Sequence, residues 1–211
     1  MMEQKHSCID CGTVNCNKMQ ASYPPFCLTT NIDPALLESA MEEYNDPMIR
    51  AIAVAAAEVE TENYCKMTRL EETIEFAKKL NAKKIGIATC AGLIQESRTV
   101  ARIFREHGFE VFGVACKCGT QKKTSIGVPE FCNATGENMC NPVLQAKYLN
   151  KENTDLNILI GLCVGHDSMF YRFADAPVTT LVSKDRVMAH NTVGAIYQAD
   201  KYYAAKLLAD Q

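Results

Sequence analysis

Nothing in the 211 residues approaches the roughly 18 consecutive apolar positions that a membrane-spanning helix needs, and the opening MMEQKHSC has no apolar stretch of the signal-peptide kind. A formal charge of -3, with no long run of one sign, excludes the basic field on which sequence-independent nucleic-acid binding depends. Neither a repeat of roughly 20 to 50 residues nor a low-complexity tract is visible. No G-x-G-x-x-G follows the first strand-like run and no phosphate-cradling glycine loop occurs, so nicotinamide and ATP have no fingerprint here. What is left is a globular chain, 47% hydrophobic and able to build a core, expected in the cytoplasm with neither nucleic acid nor membrane as partner.

Cysteine, by contrast, is abundant. Eleven cysteines in a cytoplasmic chain are poorly explained by disulfides, since thiols there are kept reduced, and an odd count leaves one over in any all-disulfide scheme. Metal binding or thiol chemistry is the better reading.

The chain divides, on pattern, into residues 1–33 and residues 34–211. The first segment is irregular, holds Tyr23-Pro24-Pro25-Phe26, which no helix continues, and spaces Cys8, Cys11, Cys16 and Cys27 as C-x2-C-x4-C-x10-C. Four thiolates so close together make a closed zinc site or hold an iron–sulfur cluster. Asp33-Pro34 and Asp46-Pro47 each place a capping carboxylate before a proline suited to the first helical position. Helices are therefore expected over 34–44, 47–62 and, from its apolar spacing, 69–80, all before any strand. From Lys84 the pattern alternates. Strands over 85–89, 109–115, 156–162 and 177–182 are separated by helical segments over 93–107 and 142–150, and a single closing helix is expected over 192–209. This order predicts an α/β fold: a parallel sheet of about four strands with helices on both faces, preceded by a Cys-rich metal-binding module and three helices.

In such a sheet the ligand crevice lies beyond the carboxyl ends of the strands. Cys90 closes the first strand, Cys116 and Cys118 the second, and Cys163 the third, while Cys132 and Cys140 stand on the long loop after the second. Strands spaced ~4.8 Å apart bring such thiols within reach of one cluster. Cys140 precedes Asn141-Pro142, a helix start that favours a thiolate. Cys65, after an Ala-rich helix, reads as structural. The segment GLCVGHD, 161–167, leaves two readings open. Gly161-Leu162-Cys163-Val164-Gly165 has the form of a nucleophile elbow with cysteine for serine, and Asp185 and His190 follow in the order of a hydrolase triad. Ten other cysteines have no use in a hydrolase, and a metal site uses the same glycines for close backbone approach. His166 and Asp167, opening the next helix, are candidates for proton delivery; Lys184, Arg186 and His190 are candidates for placing an anion. Lys117, Lys122 and Lys123 read as a solvated loop face.

CIDCGTVNC, KKIGIATCAGL, GFEVFGVACKCG, MCNPVLQA, LNILIGLCVGHDSMF and APVTTLVSKDRVMAHN together carry a likeness: the chain resembles the cysteine-rich, metal-binding family known as domain of unknown function 1847. The resemblance implies metal binding and names no reaction. A looser analogy of arrangement is to hydroxymethylbutenyl diphosphate reductase and quinolinate synthase, which gather cysteines from separate α/β units around one iron–sulfur cluster. The leading expectation is thus an iron–sulfur protein, four-iron form favoured, with its N-terminal module near a crevice cluster, carrying out reduction or sulfur chemistry on a small-molecule substrate with electrons from a donor protein. A zinc-binding sensor or metal carrier is the alternative, and a cysteine hydrolase using Cys163 the third.

Overall fold

A computed structural model describes residues 5–18 and 21–208. The chain falls into two compact units that divide after Ala56. The first holds two 3-10 turns, Cys8–Asp10 and Asn15–Asn17, then helix α1 (Pro34–Glu43) and the start of α2 (Pro47–Asn63). Both aspartate caps form as the sequence predicts: Asp33 accepts from the amides of Ala35 and Leu36, and Asp46 from those of Met48 and Ile49. No described residue between 5 and 54 is buried. The loop is braced instead by polar side chains, among them Asn31, whose amide donates to the carbonyls of Pro25 and Cys27 at 2.8 Å each.

The second unit is built on a four-stranded parallel sheet in the order β2-β1-β3-β4, with β1 at Lys84–Thr89, β2 at Glu110–Ala115, β3 at Leu156–Ile160 and β4 at Val178–Val182. Helices α3 (Arg69–Lys79) and α4 (Ile94–Glu106) cover one face, where Ile74, Ala77 and Phe104 pack on Ile85, Ile87 and Ile158. On the other face α5 (Pro142–Lys151) and α6 (His166–Phe173) bring Ala146, Leu149 and Phe170 against Ala88, Val114 and Leu159. The period-two alternation of strand side chains assigns neighbouring residues to the two cores. The α/β class, the four strands and the helices on both faces are as the sequence predicts.

Two buried amides tie the sheet to α5 and to the turn that follows it. Asn157 replaces an apolar residue in the middle of β3, accepts from Thr154 Oγ1 at 2.8 Å, and fits only because Gly86 beside it has no side chain: a Cβ there would stand 2.0 Å from Asn157 Oδ1. Gln145, fully buried, donates from Nε2 to Thr89 O at 3.1 Å and to Val114 O at 2.6 Å, fastening the ends of β1 and β2 together. Gln145→Leu would leave the Val114 carbonyl without this donor, at a cost of about 1–3 kcal/mol. Urea unfolding should register a loss near 2 kcal/mol; an unchanged midpoint would show the amide to be dispensable.

The closing helix departs from expectation. Only Thr192–Ile196 (α7) and Ala204–Leu207 (α8) are helical, and Ala209, the end of the expected helix, lies outside the described residues. Between them the backbone makes several three-residue returns, such as Gln198 N to Ala195 O and Ala199 N to Ile196 O. The physical reason is exposure: Ile196, Tyr197, Tyr202 and Leu207 all face solvent, and a helix without a buried face gains little beyond its own propensity. Cys65 is likewise no core residue; it is exposed, in a left-handed turn after α2. Among the described residues no helix is long and apolar enough to cross a membrane.

Candidate functional site

The strand order fixes where a ligand site belongs. From β1 the chain moves outward through α4 to β2, then returns through α5 on the opposite face to β3 on the far side of β1. The direction reverses between β1 and β3, the topological switch point at which loops splay apart and leave a crevice. Cys90 follows β1 and Cys163 follows β3, so both flank that point. Backbone bonds hold the thiol-bearing ends in place: Cys90 N–H donates to Ile160 O at 3.0 Å, Cys116 N–H to Thr89 O at 2.8 Å, and Asn141 N–H to Cys116 O at 2.8 Å. The last of these brings Cys140 back against Cys116 across the long loop. That loop folds on itself through the antiparallel bridge between Lys122 and Asn138, which turns Cys132 inward.

The result is one cavity of about 810 Å³ lined by Cys90, Cys116, Cys132, Cys140 and Cys163. Cys118 is the sixth thiol predicted for it and is absent from its walls; it packs on the apolar cluster beneath α5 and α6. Among the described residues no three His, Cys, Asp or Glu side chains already converge on a single metal-sized point.

Two of the cavity sulfurs share a proton unequally. Cys140 is pushed down to about 4, first by the hydrogen bond of Cys116, then by that of His166, with the charges of Lys117 and His166 adding to it. Cys116 goes the opposite way, raised because it keeps the shared proton and is buried, so the pair carries one negative charge, on Cys140. Cys163 Sγ accepts from Arg186 Nη2 at 3.1 Å, and this sulfur, with Cys90 and Cys140 behind it, raises the guanidinium still further. The amides of Ala91 and Gly92 donate to the sulfurs of Cys116 and Cys90 at 3.3 and 3.4 Å. Gly161 makes the close approach between the end of β3 and the turn after β1 possible: its φ is +66°, and a Cβ on it would stand 2.1 Å from Leu93 Cδ1.

The other predicted residues divide. His166 and Arg186 line the cavity. Asp167 turns its carboxylate back on the amide of Ser168 at 2.8 Å, and Lys184 lies over Gly161, where its ammonium is 3.5 Å from the position a Cβ would take; neither lines the cavity. His190 opens onto a separate recess beside β4, with Arg69 and Glu96. Lys117 and Lys123, expected to be a solvated loop face, line the thiol cavity. The exposed Lys122 does not.

His190 also decides the hydrolase question. Its Nδ1 accepts from Asp185 N–H at 3.0 Å while its own N–H donates to Asp185 O at 2.8 Å, and Asp185 Oδ1 accepts from the amides of Val187 and Met188. These bonds close a tight loop that carries Arg186 to Cys163. The partner of Cys163 is an arginine, with no imidazole placed to take its proton, so the triad is not assembled. His190 serves as a clamp, and sits at φ +65°, where asparagine is tolerated and alanine is strained. His190→Ala should therefore speed hydrogen exchange at the Asp185 amide by about tenfold, corresponding to loss of one net hydrogen bond, and His190→Asn should restore most of it. Equal exchange in both variants would remove the clamp.

In the N-terminal unit, hydrogen bonds from the Thr13 hydroxyl and the amides of Val14 and Thr13 lower Cys11. At Cys27 desolvation acts upward, but bonds from Thr29 and Thr30 outweigh it and the net direction is down, with the nearby charge of Cys11 opposing. Thiolate-favouring donors beside two of four clustered cysteines suit a thiophilic metal.

A family model described as protein of unknown function (DUF1847) matches residues 27–181, a span that includes Cys27 and all six cysteines predicted for the crevice. A relative from Methanocaldococcus jannaschii, the uncharacterised protein MJ0455, is 47% identical over 174 residues, which is 82% of this chain and 88% of that one. Among solved structures, that of Dph2 from Pyrococcus horikoshii aligns with a TM-score of 0.32 at 18% identity, covering 62% of this chain and 32% of the other. The chain thus spans about a third of that protein's length.

Proposed function

As a member of the DUF1847 family, to which the chain belongs, we propose that this protein is a thiolate-ligated metal protein whose crevice holds an iron–sulfur cluster of the four-iron form and serves reductive or sulfur chemistry on a small molecule. One observation carries the reading: cysteines from separate segments of the chain, Cys90, Cys116, Cys140 and Cys163, open onto one cavity at the switch point of the sheet. A lone catalytic thiol needs one such position, whereas a cluster needs several. The donor set fits the group, since soft sulfur ligands bind as thiolates, the setting of Cys140 favours that form, and Cys163 Sγ accepts a hydrogen bond from the Arg186 guanidinium. The cluster, when bound, would supply electron transfer, with electrons from a donor protein. His166, beside Cys140 on the cavity wall, is placed to hold a proton at the imidazole. The four N-terminal cysteines form a second, closed site for a structural metal, for which zinc is suited equally well.

The test is anaerobic purification of the full chain followed by iron, zinc and acid-labile sulfide analysis. Iron and sulfide near four per crevice are expected. Cys116→Ser should lose them, while Cys118→Ser, whose side chain is in the apolar cluster, should keep them. Zinc alone, without sulfide, would replace the cluster by the metal-carrier reading.

A further inference from the structure

The cavity walls have a charge pattern that a metal centre alone does not call for. They include Lys117, Lys123 and Arg186 and no aspartate or glutamate. Among the described residues, none of these three cations is paired with a carboxylate elsewhere. They arrive from three places in the chain: the turn after β2, the folded loop, and the loop after β4. Their charges are held in position. Lys117 Nζ donates to Asn138 O, Lys123 Nζ to Cys132 O and, at 2.9 Å, to Thr135 Oγ1, and Arg186 to Cys163. Surface lysines that merely provide solubility are not fastened by neutral carbonyls around a shared hollow; donors anchored in this way are preorganised for an incoming negative charge. Between the cations the wall is apolar, formed by Ile126, Val128, Met139, Val143 and Met169.

From this combination we infer that the crevice binds a small organic anion with an apolar body, its carboxylate or phosphate head set among Lys117, Lys123 and Arg186 and its body against the methionine and valine wall. A volume of about 810 Å³ is within the range of small-molecule sites, roughly 300–1,000 Å³, and exceeds the need of a bare inorganic ion. The inference rests on the proposed function in one respect: the anion is the class of substrate that the same crevice would take.

Calorimetric titration of the anaerobically purified full chain, with iron and sulfide measured on the same sample, tests the anion site and keeps its outcome distinct from that of the cluster. The probes are hexanoate, hexyl phosphate, neutral hexanamide and inorganic phosphate. One of the two hexyl anions should bind at least about tenfold more tightly than hexanamide and than inorganic phosphate, the difference expected of one well-placed charge contact or a short buried chain. Whichever head binds better identifies the ligand as carboxylate or phosphate. Arg186→Gln and Lys123→Gln should each weaken that anion by about three- to tenfold, whereas Lys122→Gln, outside the cavity, should not. Hexanamide binding as well as the hexyl anions, no saturable binding of either anion, or indifference to both cavity substitutions would overturn the inference. If anion discrimination persists in protein shown to hold no metal, the cluster reading fails and the anion site stands; if iron and sulfide are present but discrimination is absent, only the anion site fails.

Discussion

Stripped of metal, Cys140 should be alkylated by iodoacetamide at a rate almost flat between about pH 5 and pH 8, while free N-acetylcysteine run beside it as a reference gains roughly tenfold per pH unit over the same range. The flatness, more than the speed, is the signature. A thiol lowered to about 4 is fully ionised throughout that window, so no further thiolate forms as pH rises. Its absolute rate at pH 6 exceeds that of an ordinary thiol by only a few-fold, because the gain in ionised fraction, on the order of several hundredfold, is largely cancelled by the weaker nucleophilicity of a low-pKa sulfur. The sign follows from the coupling: Cys116 retains its proton and donates, so it should remain unmodified in the same experiment. In metal-loaded protein both should be protected. A Cys140 rate that climbs in step with that of the reference thiol would mean that Cys116 and His166 do not hold the charge there.

Metal removal is expected to act even more strongly on residues 5 to 30. Each ordered residue costs about 1–2 kcal/mol of backbone entropy, and none of the described residues of this stretch is buried to offset it. Thiolate coordination of a structural metal, at ~10–16 kcal/mol, would offset a substantial part of that cost. Chelation, or Cys11→Ala, should hasten proteolytic cleavage within 5–30 by tenfold or more, with residues 57–208 cut no faster than before. A segment equally resistant after complete metal removal would show that Asn31, Tyr23 and the other polar braces suffice, and that the four cysteines are not a metal site.

How much of this could be read from the residues differs by feature. The Asp-Pro helix starts and the Asn141-Pro142 start were legible because a cap is a local event, fixed by two or three adjacent residues. So were the strands, whose alternation records burial on two faces. The placing of Cys90, Cys116 and Cys163 at one end of the sheet followed from topology, which the strand–helix order carries. Cys118 and Cys116 are two residues apart on the same turn, and sequence cannot say that the first faces a core and the second a cavity. His190 looked like a base because its spacing from Cys163 and Asp185 matched a known order; its ring is instead consumed by an amide five residues away. Gln145 carried no signal, since a glutamine among helix formers is ordinary until the carbonyls of two distant strands arrive beside it. The closing helix failed for the converse reason: good helical residues with nothing to lie on.

The reversal of direction between β1 and β3 has a consequence for the order in which the site comes into being. Cys90 and Cys116 are joined by a short β1–α4–β2 excursion, and Cys140 is brought to them by the loop that follows. Cys163 reaches the others only after the chain has crossed back over β1 and β3 has taken its place, and Arg186 only after β4 has closed the edge. A chain emerging from the ribosome accordingly presents the thiols of Cys90, Cys116, Cys132 and Cys140 before that of Cys163 exists. If the crevice holds the proposed cluster, metal captured at that stage would be bound by residues still free to misassemble, and loading after β4 has taken its place would avoid this.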